Sequence, residues 1–482
     1  MKDNFYICTA IPYVNDKPHI GHAMDFIYAD ILARYNRAQG KDVVFSIGTD
    51  EHGTKIAEKA AENNLSPQAF ADSIVPKWQH FAKIAHISND RFIRTSQDAH
   101  IERIKLIWQK LEKYIYKGNF EGWYCVGCEE YKTDTVVKET DGKCPDHNRA
   151  YEKLKEENYF FKLSAFSAQL KESIENNYFE IVPSYRGKEM LNLIEVGLND
   201  VSISRPKDKL DWGVPVPGDD GHVMYVWFEA VCNYITVLGY PEHEDFKEYW
   251  PANVQVIGKD ITKFHALIWP AILIGLGEPL FKKLYSHGFI TSEGKKMSKT
   301  IGNVVDPVQV IDTYGVDAFR YFLARHIPSH DDGDYSVERF EAAYNGELAN
   351  ELGNAVSRVA SMITKYQQGV IGEVKDELHD PTEYDEAIAA FRFDRALDLV
   401  WLRVQDLNKY IEIEQPWSLA KTDTEHLQEV LAYSASSLLE IARLLGPFMP
   451  SASQKITEVF TGGVVQPLEA PLFPRLDTKN DK

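Results

Sequence analysis

Short apolar runs alternate with longer stretches of helical periodicity over the first part of the chain. Asn4 to Thr9 predicts a short buried strand, closed by Pro12. Met24, Ile27, Tyr28, Ile31 and Leu32 then recur at helical spacing, predicting a helix from about Gly21 to Gln39 with Gly40 as its stop. Val43 to Ile47 predicts a second strand ending at Gly48. Strand, helix, strand in this order opens a parallel α/β sheet with a right-handed crossover. Between about Tyr114 and Asp220 the pattern breaks into glycines, paired cysteines and short aromatic strands such as Tyr159 to Leu163, which predicts an insertion. Alternation returns at Val223 to Phe228 and at Val254 to Ile257, where the sheet is expected to resume, with Gly258 and a helix carrying His265 after the second segment. Leu284 to Ile290 predicts a further strand. After Asp306 and Pro307, a helix start with proline in the first turn, the chain is mostly helical. Leu348, Leu352, Val356, Val359 and Ile363 repeat every three to four residues, and Arg395 to Ile411 and Leu427 to Leu445 behave alike, so a helical bundle is expected.

A length of 482 residues exceeds what one core supports, so several packed units are expected. No apolar run approaches the ~18 residues of a membrane span. Met1 to Tyr6 lacks the basic and then apolar pattern of a secretion signal, so a cytoplasmic location is expected. The formal charge of −19 argues against a blanket coat of nucleic acid, and any such contact should be local.

Five cysteines, three of them in one short segment, point away from a disulfide framework. Cys125, Cys128, Cys144 and His147 form C-x2-C-x15-C-x2-H, a spacing that can place three thiolates and one imidazole tetrahedrally around zinc. Four protein ligands leave no open position, so that ion would be structural. Cys8 and Cys232 are expected to be buried as small apolar residues.

Two clusters carry candidate chemistry. His19, Gly21 and His22 fall in H-I-G-H at the expected helix start, where free backbone N–H groups and the helix dipole suit phosphate. Two histidines flanking a glycine can stabilise charge on one phosphate group as it becomes pentacoordinate. Lys296 and Lys299 lie in K-K-M-S-K-T between Gly294 and Gly302, on what the sequence predicts as a polar loop able to close over a leaving pyrophosphate. Alone, H-x-G-H also fits small nucleotidyltransferases, and the lysines also fit a solvated basic loop. Together they resemble the paired nucleotide-binding motifs of class I aminoacyl-tRNA synthetases, with Thr300 where that class commonly has serine.

The chain resembles the methionyl-tRNA synthetase family in particular, over nearly its whole length. The stretches that carry the resemblance are A-I-P-Y-V-N (Ala10 to Asn15), G-T-D-E-H-G (Gly48 to Gly53), Y-V-W-F-E-A (Tyr225 to Ala230), G-K-D-I (Gly258 to Ile261) and P-W-S-L-A (Pro416 to Ala420). The resemblance implies a methionine pocket of Ala10, Ile11, Tyr13, Trp227, Ala230, Tyr234, Ile261 and His265, with Asp50 holding the α-ammonium group. Aromatic rings around a thioether and a carboxylate on an amine are chemically apt. It implies ATP contacts from His19, His22, Gly258, Asp260, Lys296, Ser298 and Lys299, with magnesium accompanying ATP. It also implies anticodon reading by Asn354, Arg358 and Trp417, stacking and bonding to a few unstacked bases rather than relying on overall charge.

The implied fold is an α/β Rossmann-like parallel sheet with a zinc-knuckle insertion, followed by an α-helical bundle. The implied domains are residues 1–114 and 223–290 for the two halves of the catalytic domain, 115–222 for the connective insertion, 291–345 for the K-M-S-K-T loop and stem-contact region, and 346–482 for the anticodon-binding bundle. The implied activity is formation of methionyl-adenylate and pyrophosphate from methionine and ATP, then transfer of methionine to the terminal adenosine of tRNA(Met), initiator tRNA included. The insertion is short for a hydrolytic editing domain, and no barrel is appended, so no separate editing site is expected and a monomer is expected. The rivals are a nucleotidyltransferase with another adenylyl acceptor and a non-catalytic tRNA-binding module.

Overall fold

The structure is a computed structural model that describes all residues except 1–2, 127–129, 133, 146–147, 298–301, 374–377 and 478–482. Cys128, His147, Ser298, Lys299 and Thr300 therefore lie outside the described residues. The chain divides into two compact units, the first formed by Met1–Pro18, Gly40–Phe81 and Ser88–Ser286, the second by His19–Gln39, Ala82–Ile87 and His287–Lys482.

The first unit is built on a six-stranded sheet of β1 (Asn4–Thr9), β2 (Asp42–Thr49), β3 (Arg91–Arg94), β4 (Glu180–Val182), β5 (Val254–Gly258) and β6 (Lys283–His287), in the order β3-β2-β1-β5-β6-β4. β2 with β3, β1 with β2, β1 with β5 and β6 with β4 run parallel, with Cys8 opposite Ser46 on one side and Gln255 on the other. The apolar runs of β1 and β2 are buried from their second residue on, as expected of strands inside a parallel sheet. The strand order reverses between β1 and β5, and the crevice at the carboxyl ends of strands around such a switch point is where open α/β sheets bind ligands. A core around Tyr6, Cys8, Trp108, Tyr234, Trp269 and Leu273 supports the sheet. Cys8 and Cys232 are both fully buried, as expected.

Three expected strands differ in detail. The alternation at Val223 to Phe228 does not rejoin the parallel sheet: a strand Asp219–Met224 pairs antiparallel with Ser204–Pro206 and Pro215–Val216, and Val226–Ala230 turns helical. Leu284 to Ile290 is split after β6, and Ile290–Ser292 belongs to a separate sheet; Gly288 lies in the break, where a Cβ would be 2.2 Å from the Asp331 carbonyl oxygen. The strand expected at Tyr159 to Leu163 begins earlier, at Glu152, and ends at Phe161. It pairs in a long hairpin with Ile115–Cys125, and the stretch expected as an insertion also supplies β4.

The second unit is mainly helical. Its first helix, α1 (Ile20–Ala38), ends at Gln39 with Gly40 at φ +80°, close to the expected limits. Leu348, Leu352, Val356, Val359 and Ile363 are all buried along one stripe, which runs from a π-helical stretch, Tyr344–Gly353, into the helix Asn354–Gln367. Helices Phe393–Glu414 and Thr424–Leu445 complete the expected bundle. A buried ion pair ties α1 into this unit. Arg320 Nη2 lies 2.7 Å from Asp30 Oδ2, both side chains being fully buried. The guanidinium also donates to the carbonyls of Phe448, Ala85 and Pro447 at 2.8, 3.0 and 2.9 Å.

Candidate active site

In the first unit, the residues expected to hold an amino acid come together at strand ends. Ala10 follows β1 and Asp50 follows β2, while Gly258, expected to contact ATP, closes β5. Tyr13 and Asp50 form an isolated parallel bridge: the Asp50 amide donates to the Pro12 carbonyl at 2.9 Å, and the Val14 amide donates to the Asp50 carbonyl at 3.1 Å. Tyr13 meets Trp227 edge to face with centroids 6.1 Å apart, and Trp227 stacks on Phe264 at 4.0 Å. Tyr234 lies 5.9 Å, centroid to centroid, from Trp269. Ala10 and Ile261 pack, partly buried, against the same core, and Ala230 is buried.

His265 sits in a π-helical turn, Phe264–Ile268, that precedes the helix Trp269–Leu276. Such turns redirect a side chain out of α-helical phase. Its Nδ1–H donates to the Ile261 carbonyl at 3.0 Å, which leaves Nε2 to accept from the Tyr234 hydroxyl at 2.6 Å. Burial lowers the imidazole pKa to about 4, so the ring is neutral near pH 7. The wall around His265 is thus aromatic with a neutral imidazole, suited to an apolar, polarisable side chain, and the Lys55 ammonium lies 4.9 Å from the Tyr13 ring centre. At Gly258, a Cβ would lie 2.9 Å from Asp260 Oδ1, so the bare turn keeps that exposed carboxylate close to the strand end.

In the second unit, H-I-G-H forms the start of α1. His19 is the N-cap, its Nδ1 accepting from the Gly21 amide at 3.1 Å, and His22 Nδ1 accepts from the His19 amide at 3.3 Å. The reciprocal bonds make a capping box from two imidazoles, whose rings stack at 3.6 Å. An Nδ1 that accepts puts the proton of a neutral ring on Nε2, so both rings serve as Nε2–H donors. Burial first, and the His19 ring second, hold His22 well below the usual histidine pKa. A Cβ on Gly21 would come within 2.9 Å of the His19 ring, so glycine is what lets that ring fold over the helix end.

Lys296 differs from the expectation of a loop: Lys295–Lys296 pairs antiparallel with Ile290–Ser292, which runs parallel to Gly333–Tyr335. Glu293 and Gly294, both at positive φ, make the tight turn that closes this hairpin. Asn354 and Arg358 share one helix face; Arg358 lies 5.9 Å from the Trp417 ring centre and pairs with Glu412 at 2.6 Å. Trp417 remains 37% exposed, so it is not a core residue. Cys125 ends its strand and is buried with Cys144 and Tyr151 in a small separate core.

Several neighbours of these residues were not legible in sequence. Phe264 and Trp269 flank His265 on the same segment, which was the available signal. Glu229 accepts from His52 Nδ1 at 2.9 Å and from His100 Nε2 at 2.7 Å. Glu51 is held by Arg94 at 2.7 and 2.8 Å, by Ser96 at 2.5 Å and by Thr49 at 2.8 Å. Glu51, His52 and Glu229 lie inside the quoted motifs, but apart from Thr49 their partners named here are far away in the chain.

The chain as a whole is similar to known proteins. The profile of the class I tRNA synthetases (M) matches residues 5–360. The methionine–tRNA ligase of Caldanaerobacter subterraneus subsp. tengcongensis is 45% identical over 475 residues, 95% of this chain and 74% of that one. That of Brucella melitensis biotype 1 is 39% identical, covering 98% of both chains. Mycobacterium tuberculosis methionyl-tRNA synthetase in complex with methionyl-adenylate superposes with a TM-score of 0.92 at 36% identity, covering 98% of this chain and 100% of that one. Its free-state structure superposes with a TM-score of 0.85 at 33% identity, covering 99% of each chain. Matched in sequence and in structure across nearly its whole length, the chain belongs to the class I tRNA synthetases, among the methionine–tRNA ligases.

Proposed function

We propose that the chain charges tRNA(Met), initiator tRNA included, with L-methionine in two steps. The methionine carboxylate attacks the α-phosphorus of ATP and expels pyrophosphate; the 2′-hydroxyl of the terminal adenosine then attacks the adenylate carbonyl and expels AMP. The observation that carries this reading is the aromatic row Tyr13–Trp227–Phe264 with neutral His265, set at strand ends of the parallel sheet together with Asp50. Ala10, Ile11, Tyr13, Trp227, Ala230, Tyr234, Ile261 and His265 form the side-chain pocket in this reading, and Asp50 takes the α-ammonium.

His19 and His22 donate to the α-phosphate oxygens as negative charge grows there, with Gly21 permitting their stack. Lys296 and Lys299 neutralise the leaving pyrophosphate, Ser298 adds a hydroxyl, and Asp260, set close by Gly258, accepts from ribose hydroxyls. Magnesium bound with ATP supplies further charge neutralisation. Asn354, Arg358 and Trp417 read the anticodon. The expected domain limits, a monomer and a cytoplasmic location complete the reading; no described helix is long and apolar enough to cross a membrane.

Methionine-dependent exchange of labelled pyrophosphate into ATP, without tRNA, tests the first step. Exchange with methionine and little with other amino acids is expected; equal exchange with leucine would sink the specificity. Trp417→Ala should spare exchange and weaken tRNA charging, and parallel loss of both would count against its role.

A structural zinc fits the donor chemistry of Cys125, Cys128, Cys144 and His147. Among the described ligands, Cys125 and Cys144 are buried together, and the Cys144 turn is braced by its amide donating to the Arg149 carbonyl and by the Asn148 amide donating to the Cys144 carbonyl, both at 2.8 Å. These residues would hold the ion, whose role would be to fix the fold of the knuckle. Metal analysis should find about one zinc per chain. A substantially lower content in protein with unmodified thiols would refute the site.

A further inference from the structure

Glu229 is a fully buried carboxylate in a segment that also supplies Trp227 and Ala230 to the pocket wall. A buried charge survives only if its oxygens are met by donors, and apolar residues of similar volume are often no less stable. Here each oxygen has its own imidazole: His52 Nδ1–H reaches Oε1 at 2.9 Å, and His100 Nε2–H reaches Oε2 at 2.7 Å. Both rings are themselves buried, and the Nδ1 of His100 is fixed by Thr236 Oγ1 at 2.8 Å. His52 also lies 5.1 Å, ring to ring, from Trp212, whose Nε1–H donates to the Glu51 carbonyl.

The consequence lies in which segments are joined. His52 is two positions beyond Asp50, and Glu229 is two positions beyond Trp227. The residue between Asp50 and His52 is locked as well, with the Glu51 carboxylate paired to Arg94 and bonded to Ser96 and Thr49, and its amide donating to Thr95 Oγ1 at 2.9 Å. The His52–Glu229 bond thus ties the strand end carrying the amine-binding carboxylate to the short helix carrying an aromatic wall residue, across 177 positions of sequence.

We propose that Glu229, acting through His52 and His100, is a positioning residue for amino-acid recognition, setting the spacing between Asp50 and the Trp227 wall. It touches no substrate. This inference rests on the pocket assignment above. An amino acid gripped at both its ammonium group and its side chain is sensitive to that spacing, because small displacements of positioned groups cost large factors in rate or affinity.

The test is pyrophosphate exchange with the full chain. Glu229→Gln keeps the volume but removes one acceptor, and Thr236→Val loosens His100 from further out. For Glu229→Gln the methionine KM should rise about tenfold or more, with the ATP KM within about twofold of the parent. Thr236→Val should shift the methionine KM in the same direction by a smaller factor. An unchanged methionine KM in folded Glu229→Gln protein, or equal movement of both KM values, would overturn the proposal. If Glu229→Gln does not fold, Thr236→Val decides, and no selective methionine shift there overturns it. Failure of the parent chain to exchange with methionine would instead refute the pocket assignment itself.

Discussion

Replacing His22 with alanine should slow methionine-dependent adenylate formation by about 10²–10³-fold, the usual effect of deleting one preorganised donor to developing oxyanion charge. The imidazole is well set for that work. Its Nδ1 accepts from the His19 amide, which puts the ring proton on Nε2, and the His19 ring stacked at 3.6 Å limits its rotation. Its lowered pKa, caused first by burial and then by the neighbouring ring, keeps it neutral near pH 7. Because protonation is displaced below the ordinary histidine range, the His22 contribution should stay constant as pH rises from about 6.5. The variant also loses half of a capping box, a stability cost of about 0.5–2 kcal/mol. Single-turnover adenylate formation at saturating methionine and ATP, in protein shown to be folded, separates the two effects. A loss of less than about threefold would remove His22 from the chemistry.

Arg320→Met should be the most destabilising single change considered, costing about 3–5 kcal/mol. It takes from the fully buried Asp30 carboxylate its one fully buried cation and deprives the carbonyls of Phe448, Pro447 and Ala85 of their donor. Burial pulls the Arg320 pKa down, while Asp30 acts to hold it up, as expected of a cation kept inside the protein by its partner. Arg34 Nε, also 2.7 Å from Asp30 Oδ2, is only partly buried and rescues little of the loss. Asp30→Leu combined with Arg320→Met should recover part of the stability, because the double change leaves no buried charge of this pair unpaired. Urea unfolding of the parent, both single variants and the double variant measures the coupling. A loss under about 1 kcal/mol for Arg320→Met would show that the pair adds little.

Sequence periodicity was most informative where one face of a long element is buried. The limits of α1 follow from apolar spacing together with Gly40 as the stop, and the stripe from Leu348 to Ile363 from apolar spacing alone, since a helix this long offers several turns of evidence. It failed at Val223 to Phe228, where a strand end and a short helix are both buried and both read as apolar. The Lys295–Lys296 strand escaped because two charged residues form it and its partners, Ile290–Ser292 and Gly333–Tyr335, come from separate stretches. At the candidate site the motifs named the residues but not their connections. The partners of Glu229 lie 129 and 177 positions away, a distance at which local pattern carries no information.

The turn at Phe264–Ile268 carries one residue more per hydrogen-bonded loop than an α-helix does. Loss of one residue there would restore regular helix and swing His265 by about 100° relative to the helix that follows. The bond to Tyr234 would go with it, although every side-chain type in the pocket would remain. Substitution alters this pocket one surface at a time, whereas a single codon deletion would redraw its wall at once. A change of chain length at this turn would therefore move His265 in a way that a change of residue would not.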